Sequence, residues 1–104
     1  MPEKRYKIYL NDFLRIIVYI ETDEGNILNF VVKLEYFYKN QWFEVERYDC
    51  YHGYVHKDIL NANGKKVRTI KFPLVDNKAG LNIAIKDFKE NYNFIIWRFT
   101  NEKK

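Results

Sequence analysis

The stretch LNIAIKDFKENYNFIIWRF, residues 81–99, decides the fold class of this chain. Its apolar residues recur at steps of three or four, as on one face of an α-helix. They are Leu81, Ala84, Ile85, Phe88, Tyr92, Ile95 and Phe99. The pattern predicts a helix of roughly twenty residues that buries this face against a sheet, and Asp76 or Asn77 could cap its start.

Four further apolar residues fall partly off this face: Ile83, Phe94, Ile96 and Trp97. They widen the apolar surface beyond what contact with a single sheet requires. We interpret them first as an aromatic-rich edge of the core. A homodimer contact is the second interpretation.

The residues before the helix alternate between apolar and polar, which is typical of strands with one buried face. The predicted inward residues are Leu14, Ile16, Val18 and Ile20 in one run, and Leu28, Phe30, Val32, Leu34 and Tyr36 in the next. Tight-turn pairs separate the runs, with Asn63-Gly64 as the strongest hairpin signal. The sequence therefore predicts a single α+β domain over residues 1–104, with about five or six antiparallel strands and one long C-terminal helix.

Composition restricts the class of protein. Nearly half of the residues are apolar, 18% are aromatic and the net charge is +4, so disorder is excluded and a mild basic bias remains. Cys50 is the only cysteine, which rules out an internal disulfide and suits a reducing compartment. We see no secretory signal and no apolar run that reaches the roughly 18 residues of a membrane span. We therefore expect a cytoplasmic protein without a membrane partner.

The strand predicted over residues 41–51 contains and precedes the polar residues that are the candidates for a functional site. Because side chains repeat every two residues, we expect Phe43 and Val45 to share a face with Arg47 and Asp49. Residues 52–57 are predicted to be irregular, with Gly53 as the bend. Cys50 should point to the other face.

The segment RYDCYHGYVHKD, residues 47–58, contains both histidines of the chain. Cleavage of RNA without a metal needs a base, an acid and a cation for the phosphorane charge. Imidazoles can serve as either acid or base, and an arginine fork suits phosphate. The candidate catalytic residues are therefore His52, His56, Arg47 and Asp49, with no metal and no cofactor.

Other residue types in and after this segment suit RNA as the partner. Tyr48, Tyr51 and Tyr54 could stack bases, and Lys57 could attract the backbone. A second group of cations follows on the next hairpin and could do the same: Lys65, Lys66, Arg68 and Lys71.

Two other interpretations of the segment stay open. In the structural one, Asp49 accepts backbone hydrogen bonds, Arg47 pairs with it, and the protein is a non-enzymatic binding or interaction module. In the other, His52 and His56 bind a metal with Asp49 or Asp58 as a third ligand. Their i, i+4 spacing would put them on one face of a helix, but Gly53 argues against a helix here.

The run RYDCYHGYVHKDIL followed by NANGKK resembles a family of small uncharacterised bacterial and archaeal proteins. Their signature is approximately R-Y-D-x-x-H-G-x-x-H-x-D, followed by a Gly turn and a C-terminal helix. More distantly, the R-Y-D motif ahead of histidines resembles the TumE-type toxins of toxin–antitoxin pairs. That resemblance implies a toxin-like ribonuclease with a cognate antitoxin protein as its partner.

Overall fold

The computed structural model describes residues 2–101 and has a six-stranded sheet with one C-terminal helix packed on it. The strands are β1 (Glu3–Asn11), β2 (Leu14–Asp23), β3 (Asn26–Tyr38), β4 (Gln41–Asp49), β5 (Val55–Leu60) and β6 (Lys66–Phe72), and the helix is α1 (Asn77–Asn101). Each strand pairs antiparallel with the next along the chain, in the order β1 to β6. The predicted α+β class is therefore confirmed.

The core lies between α1 and one side of the sheet, which we call the helix face. Every second residue of β2 and β3 points into it, since strand side chains alternate. Ile16, Val18, Phe30, Val32 and Leu34 are fully buried there, as predicted. The opposite side of the sheet, the open face, has no helix against it among residues 2–101.

The helix is longer than predicted, with 25 residues. It begins after Asp76, whose side-chain carboxylate accepts a hydrogen bond from the Ala79 amide at 2.8 Å, so Asp76 is the cap. The predicted inner face is buried at Leu81, Ala84, Phe88 and Ile95, whereas Ile85 and Tyr92 are half-buried. Among the described residues, no helix combines the length and apolarity needed to cross a membrane.

A β-bulge in β4 corrects one sequence-based expectation. Glu44 pairs with Glu35 and Glu46 with Leu34, which leaves Val45 as an extra residue. Val45 is buried in the core. Phe43 lies on the helix face, in a cleft with Phe99.

The expectation that Arg47 and Asp49 share the face of Phe43 and Val45 is therefore wrong. Arg47 and Asp49 lie on the open face, because the intervening Glu46 and Tyr48 contact the helix. Simple alternation fails here since the bulge inserts one residue into the count.

A second correction concerns the segment after β4. Gly53 makes the predicted bend with a φ of +87°, but strand β5 already begins at Val55. His56 and Lys57 are therefore strand residues and not part of an irregular loop. The predicted hairpin turn between β5 and β6 is confirmed, with Gly64 at a φ of +79°.

Candidate functional site

Two neighbouring strands supply the candidate site. The register of β4 and β5 places Arg47 opposite Asp58 and Asp49 opposite His56 on the open face. Side chains that face each other across two antiparallel strands lie within contact distance. The pairing therefore brings together polar residues that are seven and eleven positions apart in the chain.

These residues line a cleft of about 460 Å³, which we call the histidine cleft. Its polar lining consists of Glu44, Arg47, Asp49, His52, His56, Asp58 and Lys66. Glu44 and Arg47 share this side because the bulge at Val45 shifts the alternation. All four predicted catalytic residues are thus brought to one concave surface.

The two imidazoles occupy different depths of the cleft. His52 belongs to the turn after β4 and is exposed, whereas His56 is only 3% exposed. Their ring centroids lie 5.3 Å apart. A solute that enters the cleft therefore meets His52 first, with His56 directly behind it.

His56 is held on both ring nitrogens. Its Nε2 lies 3.1 Å from Asp49 Oδ1 and 3.6 Å from Asp58 Oδ2. Its Nδ1 lies 3.4 Å from the carbonyl oxygen of Tyr54. Each of these neighbours is a hydrogen-bond acceptor, so the ring of His56 is surrounded by groups that require a proton or another cation.

Both carboxylates at the bottom of the cleft are oriented by donors. Arg47 Nε donates to Asp49 Oδ2 at 3.0 Å, and the amide of Tyr51 donates to Asp49 Oδ1 at 3.2 Å. The hydroxyl of Thr69 on β6 donates to Asp58 Oδ1 at 2.8 Å. Buried carboxylates need such partners, because each one loses its hydration.

Cations lie around the mouth of the cleft. Lys66 Nζ is 3.4 Å from Asp58 Oδ2 and its side chain is mostly exposed. Lys71 pairs with His56 across β5 and β6, and its ammonium lies 5.8 Å from the centre of the Tyr54 ring. Arg47 contacts Glu44 as well as Asp49.

The structure brings only half of the predicted substrate-binding residues to the cleft. Tyr51 lines it and is 53% exposed, and Tyr54 lies beside His52 and His56. Tyr48 and Lys57 are on the opposite side of the sheet, buried beneath α1. They cannot stack bases or attract an RNA backbone at this site, because alternation turns residues 48 and 57 away from their neighbours.

The family with the description "Domain of unknown function (DUF7718)" matches residues 1–104. The chain belongs to this family. No curated protein and no solved structure matches it. For this DUF7718 chain, the chemistry of the histidine cleft is therefore argued from its own side chains.

Beneath α1, the same strands of the DUF7718 chain carry a second polar network. Lys57 Nζ lies 2.8 Å from both Glu46 Oε1 and Asp87 Oδ2. The contact to Glu46 is an ion pair whose angles do not fit a hydrogen bond. Arg98 of α1 binds the other oxygen of Glu46. The Tyr48 hydroxyl donates to Asp87 at 2.7 Å.

Burial and hydrogen bonds together set the protonation of this second network. Burial and the hydrogen bond to Asp87 raise the pKa of Tyr48 far above the usual tyrosine value. Burial alone would raise the pKa of Asp87, but the hydrogen bonds from Lys57, Tyr48 and Asn91 outweigh it, so the pKa lies below its ordinary value. Asp87 is thus an ionised anchor for Lys57, which explains why that lysine is absent from the cleft.

Sequence reasoning missed two residues of the DUF7718 site, Glu44 and Thr69, and assigned two others only in part. Glu44 was hidden by the bulge, which no residue pattern announces. Thr69 approaches from β6, eleven positions after Asp58, and Lys66 was predicted only as a general cation. Asp58 was named solely as an alternative metal ligand, although its spacing of two from His56 would have put both on one face of a strand.

Proposed function

We propose that the histidine cleft is the active site of a toxin-like ribonuclease that acts in the cytoplasm. The observation that carries the proposal is an exposed imidazole, His52, at the mouth of a cleft flanked by Arg47 and Lys66. Attack of a ribose 2′-hydroxyl on the adjacent phosphate forms a cyclic phosphate and breaks the bond to the 5′-oxygen. It needs a proton acceptor at the attacking oxygen, a proton donor at the leaving oxygen and cations near the phosphate. That chemistry requires no metal.

His52 is the residue that would exchange a proton with the substrate. It can take the proton from the 2′-hydroxyl or give one to the leaving oxygen, since a neutral or charged imidazole serves either purpose. His56 lies behind it, with both nitrogens engaged. Asp49 accepts the Tyr51 amide and His56 contacts the Tyr54 carbonyl, so both residues hold the turn that carries His52. His56 also supplies the second imidazole of the pair.

Arg47 and Lys66 would bind the phosphate. Arg47 is half-buried and fixed by Asp49, so its guanidinium is already oriented when a substrate arrives. Lys66 is mostly exposed, so its ammonium group can move to contact the RNA backbone. Tyr51 offers an exposed ring on which a base can stack.

The test is cleavage of single-stranded RNA by the purified chain in the presence of EDTA, with analysis of the product ends. We expect 2′,3′-cyclic phosphate ends. His52→Ala should lose about 10²–10⁴-fold in rate, the usual contribution of a general acid or base, and Arg47→Ala should lose a similar factor. Lys89→Ala is the matched control, because Lys89 is an exposed cation on α1, remote from the cleft, and its rate should equal that of the wild type.

The competing function is a non-enzymatic binding module in which the motif is structural. It is favoured by the donors that already satisfy Asp49 and Asp58. Under this alternative, RNA stays intact after long incubation, and removal of Asp49 or Arg47 lowers only the melting temperature. That pair of results would end the ribonuclease proposal.

The expected partners belong to the same proposal. If the chain is a toxin, a small protein encoded by the neighbouring gene should bind it and suppress RNA cleavage. A homodimer through Phe94 and Trp97, which are exposed on α1, also stays a prediction. Size-exclusion chromatography of Trp97→Ala against the wild type would decide it.

A further inference from the structure

We propose that Asp49, His56 and Asp58 form a binding site for one divalent ion of the Zn²⁺ or Mn²⁺ class. The inference goes beyond the proposed RNA cleavage and does not depend on it. The three side chains each offer one ligand atom, and these atoms lie within 4.8 Å of one another. All three residues are buried, at 5%, 3% and 2% exposure, so the cluster is unlike the acidic patches common on protein surfaces.

The strongest observation is the environment of His56. Within residues 2–101, its two nitrogens face acceptors alone: the Tyr54 carbonyl at Nδ1, and two carboxylate oxygens at Nε2. A neutral imidazole has one N–H. With the proton on Nδ1, the buried lone pair of Nε2 is aimed at anions and lacks a positive partner, which a metal ion would supply.

Known metal sites use the same arrangement. A ligating histidine commonly donates its second N–H to a carbonyl or carboxylate, which fixes the ring and its tautomer. The contact from His56 Nδ1 to Tyr54 has this form. The imidazole is therefore oriented for coordination through Nε2.

Both carboxylates are also oriented as ligands. Asp49 Oδ2 is held by Arg47, and Oδ1, which also accepts the Tyr51 amide, lies toward His56. Asp58 has Oδ1 held by Thr69, which leaves Oδ2 toward His56. Outer hydrogen bonds of this kind fix metal-binding carboxylates and sustain their affinity.

Two of the three spacings fit a small transition ion. Zinc bonds of about 2.0–2.2 Å place tetrahedral ligand atoms about 3.3–3.6 Å apart, and the His56 Nε2 distances are 3.1 and 3.6 Å. The two carboxylate oxygens lie within 4.8 Å of each other, so they would move closer together when an ion binds. One nitrogen and two oxygens suit Zn²⁺ or Mn²⁺ better than Ca²⁺, which takes about six to eight oxygens. Three protein ligands leave a coordination position open toward the cleft.

Two cations compete for the same place. Lys66 Nζ lies 3.4 Å from Asp58 Oδ2, but its side chain is 59% exposed and can move into solvent. The other competitor is the proton of the alternative His56 tautomer, in which Nε2–H donates to Asp49 Oδ1 at 3.1 Å. A titration with metal ions distinguishes these occupants from a metal, because only a metal site binds the added ion.

The test is calorimetric titration of the full chain with MnCl₂ and, separately, ZnCl₂, in the absence of RNA. We expect saturable binding of one ion per chain. Asp58→Asn, which keeps the shape and removes the charge, should weaken binding at least about 100-fold. Glu44→Gln is the matched control, because Glu44 lines the same cleft but contacts Lys33 and Arg47 instead of His56; its affinity should stay close to that of the wild type.

A second variant protects the test against a folding defect. Thr69→Val removes only the outer hydrogen bond to Asp58 and should weaken binding about 10–100-fold, with folding checked by circular dichroism. Absence of saturable binding in the wild type would overturn the inference, and so would an equal loss in Glu44→Gln and Asp58→Asn. If the chain binds the ion but leaves RNA intact, only the proposed function is overturned. If it cuts RNA in EDTA and binds no ion, only the metal-site inference is overturned.

Discussion

Single residues decide which chemistry each side of the sheet carries. Arg47 and Asp49 face the histidine cleft, whereas Glu46 and Tyr48 between them face the helix. Val45 sets this assignment, because the bulge at that residue shifts the alternation of everything after it. Two polar networks thus lie back to back on the same two strands.

Gly80 shows the same dependence on a single side chain. A Cβ at this position would lie 2.7 Å from Val55 Cγ2 and 3.2 Å from Phe30 Cζ. Alanine gains about 1 kcal/mol of helix propensity over glycine, but overpacking a buried contact costs about 1–3 kcal/mol. We expect Gly80→Ala to lower the free energy of unfolding, measured by urea denaturation.

The double variant Gly80→Ala/Val55→Ala is the control for that prediction. It removes the side chain that the new methyl group would meet, so the two changes should be non-additive and the double variant should be more stable than the sum predicts. A Gly80→Ala chain more stable than the wild type would show that Val55 moves aside at little cost.

At the scale of elements, helix α1 contributes most of its stability through one apolar face. Phe88 is fully buried and packs edge-on against Tyr48. Truncation to alanine removes this packing and leaves a cavity, so Phe88→Ala should reduce the free energy of unfolding by about 3–5 kcal/mol. Chemical denaturation followed by circular dichroism measures it.

Phe94→Ala is the matched control, since it deletes the same side chain from the same helix. Phe94 is 58% exposed and stacks on Trp97 at the surface. Its removal should leave stability nearly unchanged. Equal losses from the two variants would mean that the buried face of α1 is wrongly assigned.

For the molecule as a whole, Asp87 links the helix to the sheet and makes stability depend on pH. Its pKa is lowered from the ordinary 3.8 because hydrogen bonds from Lys57, Tyr48 and Asn91 outweigh its burial. A lowered folded-state pKa stabilises the fold above the unfolded value, and that contribution is lost as the pH falls from 3.8 through the folded pKa.

Asp87→Asn should therefore cost about 1.5–3 kcal/mol at neutral pH, the range for hydrogen bonds to a charged group. The difference from the wild type should shrink as the pH falls below 3.8. Glu90→Gln, an exposed acid on the same helix, serves as the control in the same series of denaturation curves. A difference that stays constant between neutral and acid pH would contradict the role of Asp87.

The sequence by itself determined the order and type of the elements. The change from a period of two to a period near 3.6 after Asn77 is a local property, because it reflects which side chains share a face of one element. The bends at Gly53 and Gly64 are local too, since both adopt positive φ values that glycine accepts at low cost. The α+β class and the concentration of polar residues in 47–58 followed from such signals.

Only the tertiary structure decided how those polar residues divide into two sites. The bulge at Val45 depends on how β4 pairs with β3, and Thr69 reaches Asp58 only because β6 pairs with β5. Lys57 lies beneath the helix, where it binds Asp87, a residue thirty positions later in the chain. Strand register and helix packing are long-range contacts, and they place His56 between two carboxylates while they bury Tyr48 and Lys57 on the other side.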